Sequence, residues 1–309
     1  GRKPAPNEYL YSVEGTVQDV TSDTLVANQT IVSDSLSVSA TNAQILVQGL
    51  ASIGGVDVSA TWSSGEAGQG NGSALTGQIE ISQDFVNEFG LGLPEGMVNG
   101  EGIGYLLVDL PKGQDPTFEL KSDLNGVGLD LGFVGWSKPQ STKGTLTAIG
   151  SMGDPVAIDA LAIEADGFSA KGRIGLRGDG SLDAVEFERM KIADWLDAGV
   201  RIQGNGSGVA PDVFITSGRV DIQALTADTG GIGAVGNDTV QGRLFTSIDE
   251  LFVSEFLTMQ NVDGEFDLGK NMQGGFTGRL NDTVDVGGTI SSDAEGRRKI
   301  SVSADDAGK

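Results

Sequence analysis

The sequence contains no cysteine and no histidine. Without cysteine, the chain can form no disulfide framework, no cysteine zinc site and no thiol nucleophile. Without histidine, it has no imidazole base for a Ser-His-Asp triad and no imidazole metal ligand. The two absences together exclude the commonest zinc centres and the commonest forms of nucleophilic catalysis.

Basic residues are also scarce. The 309 residues include 20 lysines and arginines against 43 aspartates and glutamates, which gives a net charge of −23. A chain this acidic, without a basic tract, is repelled by nucleic acid and by an anionic bilayer surface. No apolar run approaches the ~20 residues that a membrane-spanning helix needs. We therefore expect no nucleic-acid partner, and any membrane attachment is expected from a segment outside these residues.

Aromatic residues make up only 6% of the chain, but hydrophobic residues make up 38% and follow a regular pattern. Apolar and polar residues alternate, as where Phe168, Ala170 and Ile174 are interleaved with Lys171 and Arg173. Successive side chains of a β-strand point to opposite faces, so each such run predicts a strand with one apolar and one solvated face. This pattern is typical of a folded protein and not of a disordered acidic chain.

Similar alternating runs recur along the whole chain. They cover residues 9–17, 36–40, 56–62, 75–81, 118–124, 127–131, 213–215, 220–224, 262–268, 276–280, 284–290 and 300–304. Short turn sequences separate several of them, at residues 178–181, 269–271, 281–282 and 293–296. Connections this short favour antiparallel neighbours, because a parallel crossover needs a dozen or more residues. The sequence therefore predicts an all-β antiparallel meander. Its periodicity leaves open whether the apolar face is a closed interior or lines an open groove.

Helix is expected in only one or two short segments. Residues 83–91 fit about two turns, with Ser82 as the N-cap and Gly90 as the stop. Residues 192–198 fit about one further turn. Residues 247–259 fit helix and strand equally well, and we predict strand because both neighbouring segments are strands.

Domain boundaries are weakly marked. Two low-complexity stretches, residues 63–73 and 226–238, have the composition of flexible loops. We predict an N-terminal part of the β-structure over residues 1–110 and a second part over residues 111–309, or else one continuous domain over 1–309.

Two local patterns approach metal-binding motifs without completing them. Residues 230–233 open like a calcium-binding nonapeptide, but Val235 stands where that motif needs aspartate, and the motif does not recur. Asp179 and Asp183 lack the 12-residue ligand spacing of an EF-hand. We expect no metal site and no cofactor.

Several glycine-punctuated segments have the spacing of a known family. Residues 122–131 and 135–139 match D-L-x-G, L-x-L and G-W-x-K-P elements. Residues 167–182 match a block in which glycine and leucine recur, and residues 293–308 resemble a D-G-R-R … S-x-D-A-G ending, with the departure that Glu295 lengthens the turn by one residue. In these elements the chain resembles the AsmA-like superfamily of Gram-negative envelope proteins, in particular its long YhdP-type members. The resemblance covers roughly residues 75–309.

The resemblance implies a fold and a function. The meander is expected to curve into an elongated open groove, a trough of the β-taco kind. The chain would be a periplasmic segment of a bridge-like protein that is anchored in the inner membrane and carries phospholipid toward the outer membrane. Its partners would be phospholipid acyl chains, the inner membrane through a segment outside this chain, and outer-membrane components. No catalytic residues accompany that function, so an enzyme is not expected. The candidate groove-lining residues are the apolar members of the alternating runs: Leu129, Leu131, Phe168, Ile174, Leu176, Val262, Phe266, Phe276, Leu280, Val284, Val286, Ile300 and Val302.

Two other functions stay open at this point. A structural or adhesive β-solenoid or sandwich without lipid would show a regular repeat length, which the sequence lacks. A carbohydrate-active protein would use a carboxylate pair, which 43 acidic residues can easily supply. Its binding cleft would need aromatic stacking platforms, and few aromatics stand among the polar residues of the alternating runs.

Overall fold

The computed structural model describes residues 10–26, 29–64, 72–91, 93, 95–206, 208–224, 242–268, 273–292 and 298–304. Several sequence predictions fall on other residues and lie outside this part of the chain. They are the turns at 269–271 and 293–296, the stretch 226–238 with its nonapeptide-like opening, most of the loop at 63–73, and parts of the C-terminal resemblance.

The chain divides into two compact units. Unit 1 comprises Gly1–Gly128 with Pro139–Ile158, and unit 2 comprises Leu129–Lys138 with Asp159–Lys309. Unit 1 has five basic and 17 acidic side chains, a net charge of −12, which leaves −11 for unit 2. The predicted boundary at residues 110 and 111 stays a prediction.

Unit 1 contains an antiparallel meander. Its strands are β1 (Ser12–Val26), β2 (Gln29–Thr41), β3 (Ile45–Ile53), β4 (Val56–Ser64), β5 (Ser73–Ile81), β7 (Gly102–Leu110), β8 (Thr117–Ser122) and β11 (Thr145–Ser151). They pair in the order β1-β2-β3-β4-β5-β7-β8-β11. The short strand β6 (Val98–Gly100) lies outside this meander. One face of the meander is buried, with Val58, Ile79, Leu120 and Ala148 among its core residues.

Unit 2 contains the second meander. Its strands are β13 (Phe168–Leu176), β14 (Leu182–Ile192), β15 (Leu196–Gln203), β16 (Asp212–Asp221), β17 (Gly242–Ser254), β18 (Leu257–Leu268), β19 (Gln273–Leu280), β20 (Val284–Ser292) and β21 (Arg298–Ala304), each paired with the next. Two further strands, β9 (Val127–Leu131) and β10 (Trp136–Lys138), form a hairpin outside it, and β12 (Ala157–Ala165) precedes β13. The predicted all-β, largely antiparallel open meander is confirmed. Its curvature into a trough stays a prediction.

One pairing departs from the predicted antiparallel order. Strands β16 and β17 are parallel, with Val213 beside Leu244 and Val220 beside Leu251. The 20 residues between these strands are long enough for a parallel crossover. The strand predicted at 220–224 is also shorter than expected, because β16 ends at Asp221 and residues 222–224 are helical.

Helices bounded at both ends within the described residues are very short. Helix α1 (Gln83–Glu88) is confirmed: the Ser82 Oγ accepts a hydrogen bond from the Phe85 amide, and Gly90 has φ +60° just after the helix. A 3-10 turn at Gly132–Val134 is the second. No helix in the described ranges is long and apolar enough to span a membrane.

The helical turn predicted at residues 192–198 is wrong. Ile192 ends β14, Leu196 begins β15, and the two lie side by side across a tight hairpin. The Trp195 amide donates to the Ile192 carbonyl at 3.2 Å and closes the turn. The apolar residues of this segment have a helix-like spacing because the two strands and their turn direct them into the same core. By contrast, the hairpin turn at 178–181 is confirmed, and the strand predicted over 247–259 is confirmed in type but is divided between β17 and β18 by a turn at residues 255–256.

Candidate functional site

The face of unit 2 that carries its apolar residues, called the inner face below, holds two continuous rows of in-register residues across β13–β21. The first row reads Ile174, Val185, Ile202, Val213, Leu244, Phe266, Gly274, Ile290 and Ile300. The second reads Gly172, Phe187, Val200, Ile215, Thr246, Gly264, Phe276, Gly288 and Val302. Residues directly opposite on neighbouring strands share a face, so each row is a band across the sheet. Neither row contains a charged residue, and we call the two together the open rows.

A third row on the same inner face lies nearer the other ends of the strands. It reads Phe168, Ile192, Leu196, Val220, Leu251, Met259, Leu280 and Val284, and we call it the closed row. All its members are buried except Leu251 and Leu280, which are half-buried. In the open rows, Val200 alone is buried, Ile300 and Val302 are 62% and 63% exposed, and the rest are half-buried. One sheet face is therefore sealed along one margin and partly accessible along the other.

Two tryptophans and the β9–β10 hairpin cover the closed row. The Trp136 ring stacks on Phe168 at 4.5 Å between centroids, and its Nε1 donates to the Asp166 carbonyl at 2.8 Å. The Trp195 Nε1 donates to the Val134 carbonyl at 3.0 Å. Both indole N–H groups are satisfied, so the rings can be buried without leaving a polar group unpaired.

A line of irregularities crosses the sheet between the closed row and the open rows. The β14–β15 register shifts between Phe187 and Met190, and Ser217 and Asn261 have φ of 59° and 50°. The Asp249 carboxylate accepts a 2.7 Å hydrogen bond from the Gly218 amide in the same region. Bulges of this kind re-aim side chains and bend strands. Because of these bulges, apolar side chains face the inner side in both the closed row and the open rows, although the alternation of apolar and polar residues in the sequence shifts by one position at the line.

Two phenylalanine rings lie against the sheet within the open rows. A Cβ added at Gly274 would meet the Phe266 Cδ1 at 2.5 Å, and one added at Gly288 would overlap the Phe276 ring. Glycine therefore leaves the room that lets each ring lie flat across its neighbouring strand. The rings form a smooth apolar surface instead of standing up from it.

The opposite face of unit 2, the outer face, carries paired charges. Arg243 and Asp212 are linked by two hydrogen bonds, the shorter 2.7 Å, across the parallel strands β16 and β17. The Arg243 guanidinium holds the pKa of Asp212 below its ordinary value, as Arg189 does for Asp197. These carboxylates are ionised and partnered at neutral pH.

Aromatic stacking joins the charges on the outer face. The rings of Phe214 and Phe245 stack at 4.7 Å between centroids, and Arg201 and Arg243 lie over them at 5.7 and 5.2 Å. A concave depression of about 800 Å³ involves β17–β21, and most of its lining side chains, such as Phe245 and Glu265, belong to this outer face. The depression is therefore not a groove above the open rows of the inner face.

The structure separates the 13 predicted lining residues into two main groups. Those on the open rows are Ile174, Phe266, Phe276, Ile300 and Val302. Those in or against the sealed core and outside the open rows are Phe168, Val262, Val284, Val286, Leu280, Leu129 and Leu131. Phe276 belongs to an open row and also packs against this core. The thirteenth, Leu176, is half-buried at the end of β13, opposite Leu182. Leu129 and Leu131 lie on the covering hairpin and not in the large sheet.

Sequence reasoning missed much of the open rows. The apolar open-row residues absent from the predicted lining are Val185, Phe187, Val200, Ile202, Val213, Ile215, Leu244 and Ile290. In β14 the bulge after Phe187 interrupts the alternation, so a short window spaced by two residues would be needed to find Val185 and Phe187. In β15 the start of the strand was predicted as a helical turn.

No protein-family model, no curated protein and no solved structure matches this chain. The resemblance to the AsmA-like superfamily therefore stays a prediction. Within the described residues, no three acidic side chains come together as a metal site.

Proposed function

We propose that the open rows of unit 2 bind phospholipid acyl chains. In this proposal the chain is a periplasmic segment of an inner-membrane-anchored, bridge-like protein that carries phospholipid toward the outer membrane. The observation that carries the proposal is the pair of uncharged rows across nine strands, most of whose apolar side chains are only half-buried or exposed. No catalytic group is required for this function.

The dimensions and energetics suit an acyl chain. Eight inter-strand spacings of ~4.8 Å make each row about 38 Å long. Each methylene removed from water contributes ~0.8 kcal/mol, so a 16-carbon chain would gain roughly 13 kcal/mol if fully buried. A surface that covers the acyl chain on one side only gains part of this free energy. We therefore expect reversible binding along the row.

The charge distribution supports a passive surface. The arginines of the outer face are paired with carboxylates of the same face, as Arg243 is with Asp212, and head groups can stay in solvent. Binding through methylene contacts alone does not discriminate between head groups. The net charge of −23 opposes adsorption to an anionic bilayer, so anchoring is assigned to a segment outside this chain.

Site-specific photocrosslinking tests the proposal. A photoreactive phenylalanine analogue replaces Phe276 on the inner face, and in a matched protein it replaces Thr277, an exposed outer-face neighbour on the same strand. Each protein is incubated with vesicles of phosphatidylethanolamine that contain a fluorescent phosphatidylethanolamine. We expect lipid adducts from position 276 and background from position 277.

Charge substitutions complete the test. Val302→Asp, at a position that is 63% exposed, should keep the fold and strongly reduce adducts formed at position 276, because a carboxylate would lie beside the acyl chain. Thr277→Asp should change neither the fold nor the yield of adducts at position 276. The proposal fails if position 276 forms no adduct in a folded protein that also purifies without lipid, or if both positions label equally.

A further inference from the structure

A second, separate surface lies on the outer face of unit 1, the face opposite its buried core. Five residues form a row across β2, β3, β4, β5 and β7: Val32, Ser52, Asp57, Glu80 and Ile103. The β4–β5 pairing ends at Val58 and Ile79, and Asp57 and Glu80 are the next residues along these antiparallel strands on the opposite face. We call these five residues the acidic row.

The acidic row borders a cavity of about 590 Å³. Asp34 and Glu101 also line it, which brings four carboxylates to its wall with no basic residue among the lining side chains. Within the described chain, no ion pair is formed by any of the four. Like charges on neighbouring strands destabilise a sheet, so this arrangement costs stability in the free protein.

Large apolar side chains stand exposed around these carboxylates. Leu50 is 73% exposed and Ile103 is 51% exposed, and both line the cavity. Tyr105 and Leu107 continue the stripe along β7 and are 58% and 40% exposed. Single exposed apolar residues are ordinary on a protein surface, but an apolar border around a concave acidic surface is typical of a binding site.

The acidic charge of this surface indicates the chemical class of its partner. We propose that this surface of unit 1 docks a cationic amphipathic protein segment, in which adjacent lysines or arginines are flanked by large apolar residues. The basic pair would neutralise Asp57 and Glu80, and the flanking residues would cover Leu50 and Ile103. The acidic charge repels nucleic acid and anionic membranes, which excludes those partners. The surface belongs to unit 1, so this proposal is independent of the lipid proposal.

Unit 2 also carries carboxylates on its outer face. Some of them, such as Glu186 and Asp212, are bridged by arginines of the same sheet. Unit 1 has only five basic residues, and its two described ion pairs, at Lys121 and Lys143, lie outside the cavity. A basic partner would provide the positive charge that, in unit 2, arginines of the same sheet provide to some of the carboxylates.

Fluorescence anisotropy with synthetic peptides tests the docking surface. The probe is a labelled peptide of repeating Leu-Lys-Lys-Leu, and the comparison peptides replace every leucine by serine or every lysine by glutamate. We expect saturable binding of the probe that weakens as salt is added. The serine peptide should bind at least about tenfold more weakly, because it loses the apolar contacts.

Protein variants locate the site. The double substitution D57N/E80Q and the double substitution L50S/I103S should each weaken probe binding at least about tenfold while the protein stays folded, because Asp57, Leu50 and Ile103 are exposed and Glu80 is half-buried. Asp115→Asn removes one charge from an exposed position of the same unit outside the cavity and should leave binding nearly unchanged. The proposal is overturned if the serine peptide binds as tightly as the probe, if Asp115→Asn weakens binding as much, or if the probe does not bind.

Discussion

The closed row and the open rows of unit 2 are both uncharged and cross the same strands, yet their environments differ. Both are apolar, both cross the same meander, and both lie on its inner face. The closed row is covered by Trp136, Trp195 and the β9–β10 hairpin, whereas the open rows end in Ile300 and Val302, which are mostly exposed. The difference shows that a covering element, and not the apolar pattern of the strands, turns a sheet face into a core.

The two regions are also stabilised differently. At the closed row, burial of large side chains supplies the stabilisation. At the open rows that burial is partial, so flat ring packing within the sheet carries a larger share. Substitutions in the two regions should therefore have different magnitudes, and ion pairs on the outer face add a contribution that depends on pH.

The largest effect is expected from removing the cover of the closed row. Trp195→Ala deletes a ring that is 6% exposed and should lower the free energy of unfolding by about 3–5 kcal/mol. Phe256→Ala is the control, since that ring is 85% exposed in the turn between β17 and β18 and should matter little. Urea unfolding of both variants measures the difference. Equal effects would mean that the closed row is not a sealed core.

An intermediate effect is expected within the open rows. Gly288→Ala places a methyl group against the Phe276 ring, which must move, and should cost about 1–3 kcal/mol. Gly287→Ala, one residue away on the outer face, meets nothing closer than 3.7 Å and should be neutral or stabilise the protein by up to ~1 kcal/mol. Thermal unfolding compares the pair, and a harmless Gly288→Ala would contradict the flat ring packing.

The smallest effect is expected from the outer-face ion pair beside the open rows. Asp212→Asn removes the charge that Arg243 binds, and should cost about 1 kcal/mol at neutral pH, because Arg243 is half exposed. Since pairing lowers the pKa of Asp212 in the folded state, its contribution is present above the ordinary pKa of 3.8 and is lost as the pH falls through the lowered value.

The pH dependence provides the specific readout for that pair. Urea unfolding of the wild-type protein and of Asp212→Asn should differ at pH 7 and converge in strong acid, where the wild-type carboxyl group is protonated as well. A difference that stays constant across this range would mean that the ion pair does not contribute.

Much of the fold follows from local chemistry that the sequence displays. The Ser82 cap and Gly90 predict helix α1, and the turn at residues 178–181 predicts the β13–β14 hairpin, because each depends on only a few neighbouring residues. The parallel pairing of β16 and β17 was not predictable in this way, since it joins strands separated by 20 residues. The helical spacing of Ile192 and Leu196 was misleading because a hairpin also brings such residues together.

The candidate site was predicted only in part for the same reason. Alternation identifies Phe266 and Phe276 as inner-face residues, and both lie on the open rows. Alternation identifies Phe168 and Val284 equally well, although they are sealed beneath the covering hairpin. Nothing local distinguishes these two pairs, because burial depends on side chains that approach from elsewhere in the chain.

The sequence by itself determined that this chain lacks cysteine and histidine chemistry, carries a charge of −23, and folds as strands with one apolar face. Those properties depend on composition and on a period of two, which are local. Only the tertiary structure decided which part of the apolar face is sealed, since Trp136 and Trp195 reach it from a hairpin and a turn outside its strands. Only the tertiary structure also brought Asp57, Glu80, Leu50 and Ile103 to the wall of one cavity, because the pairing of strands, and not sequence spacing, sets which side chains become neighbours.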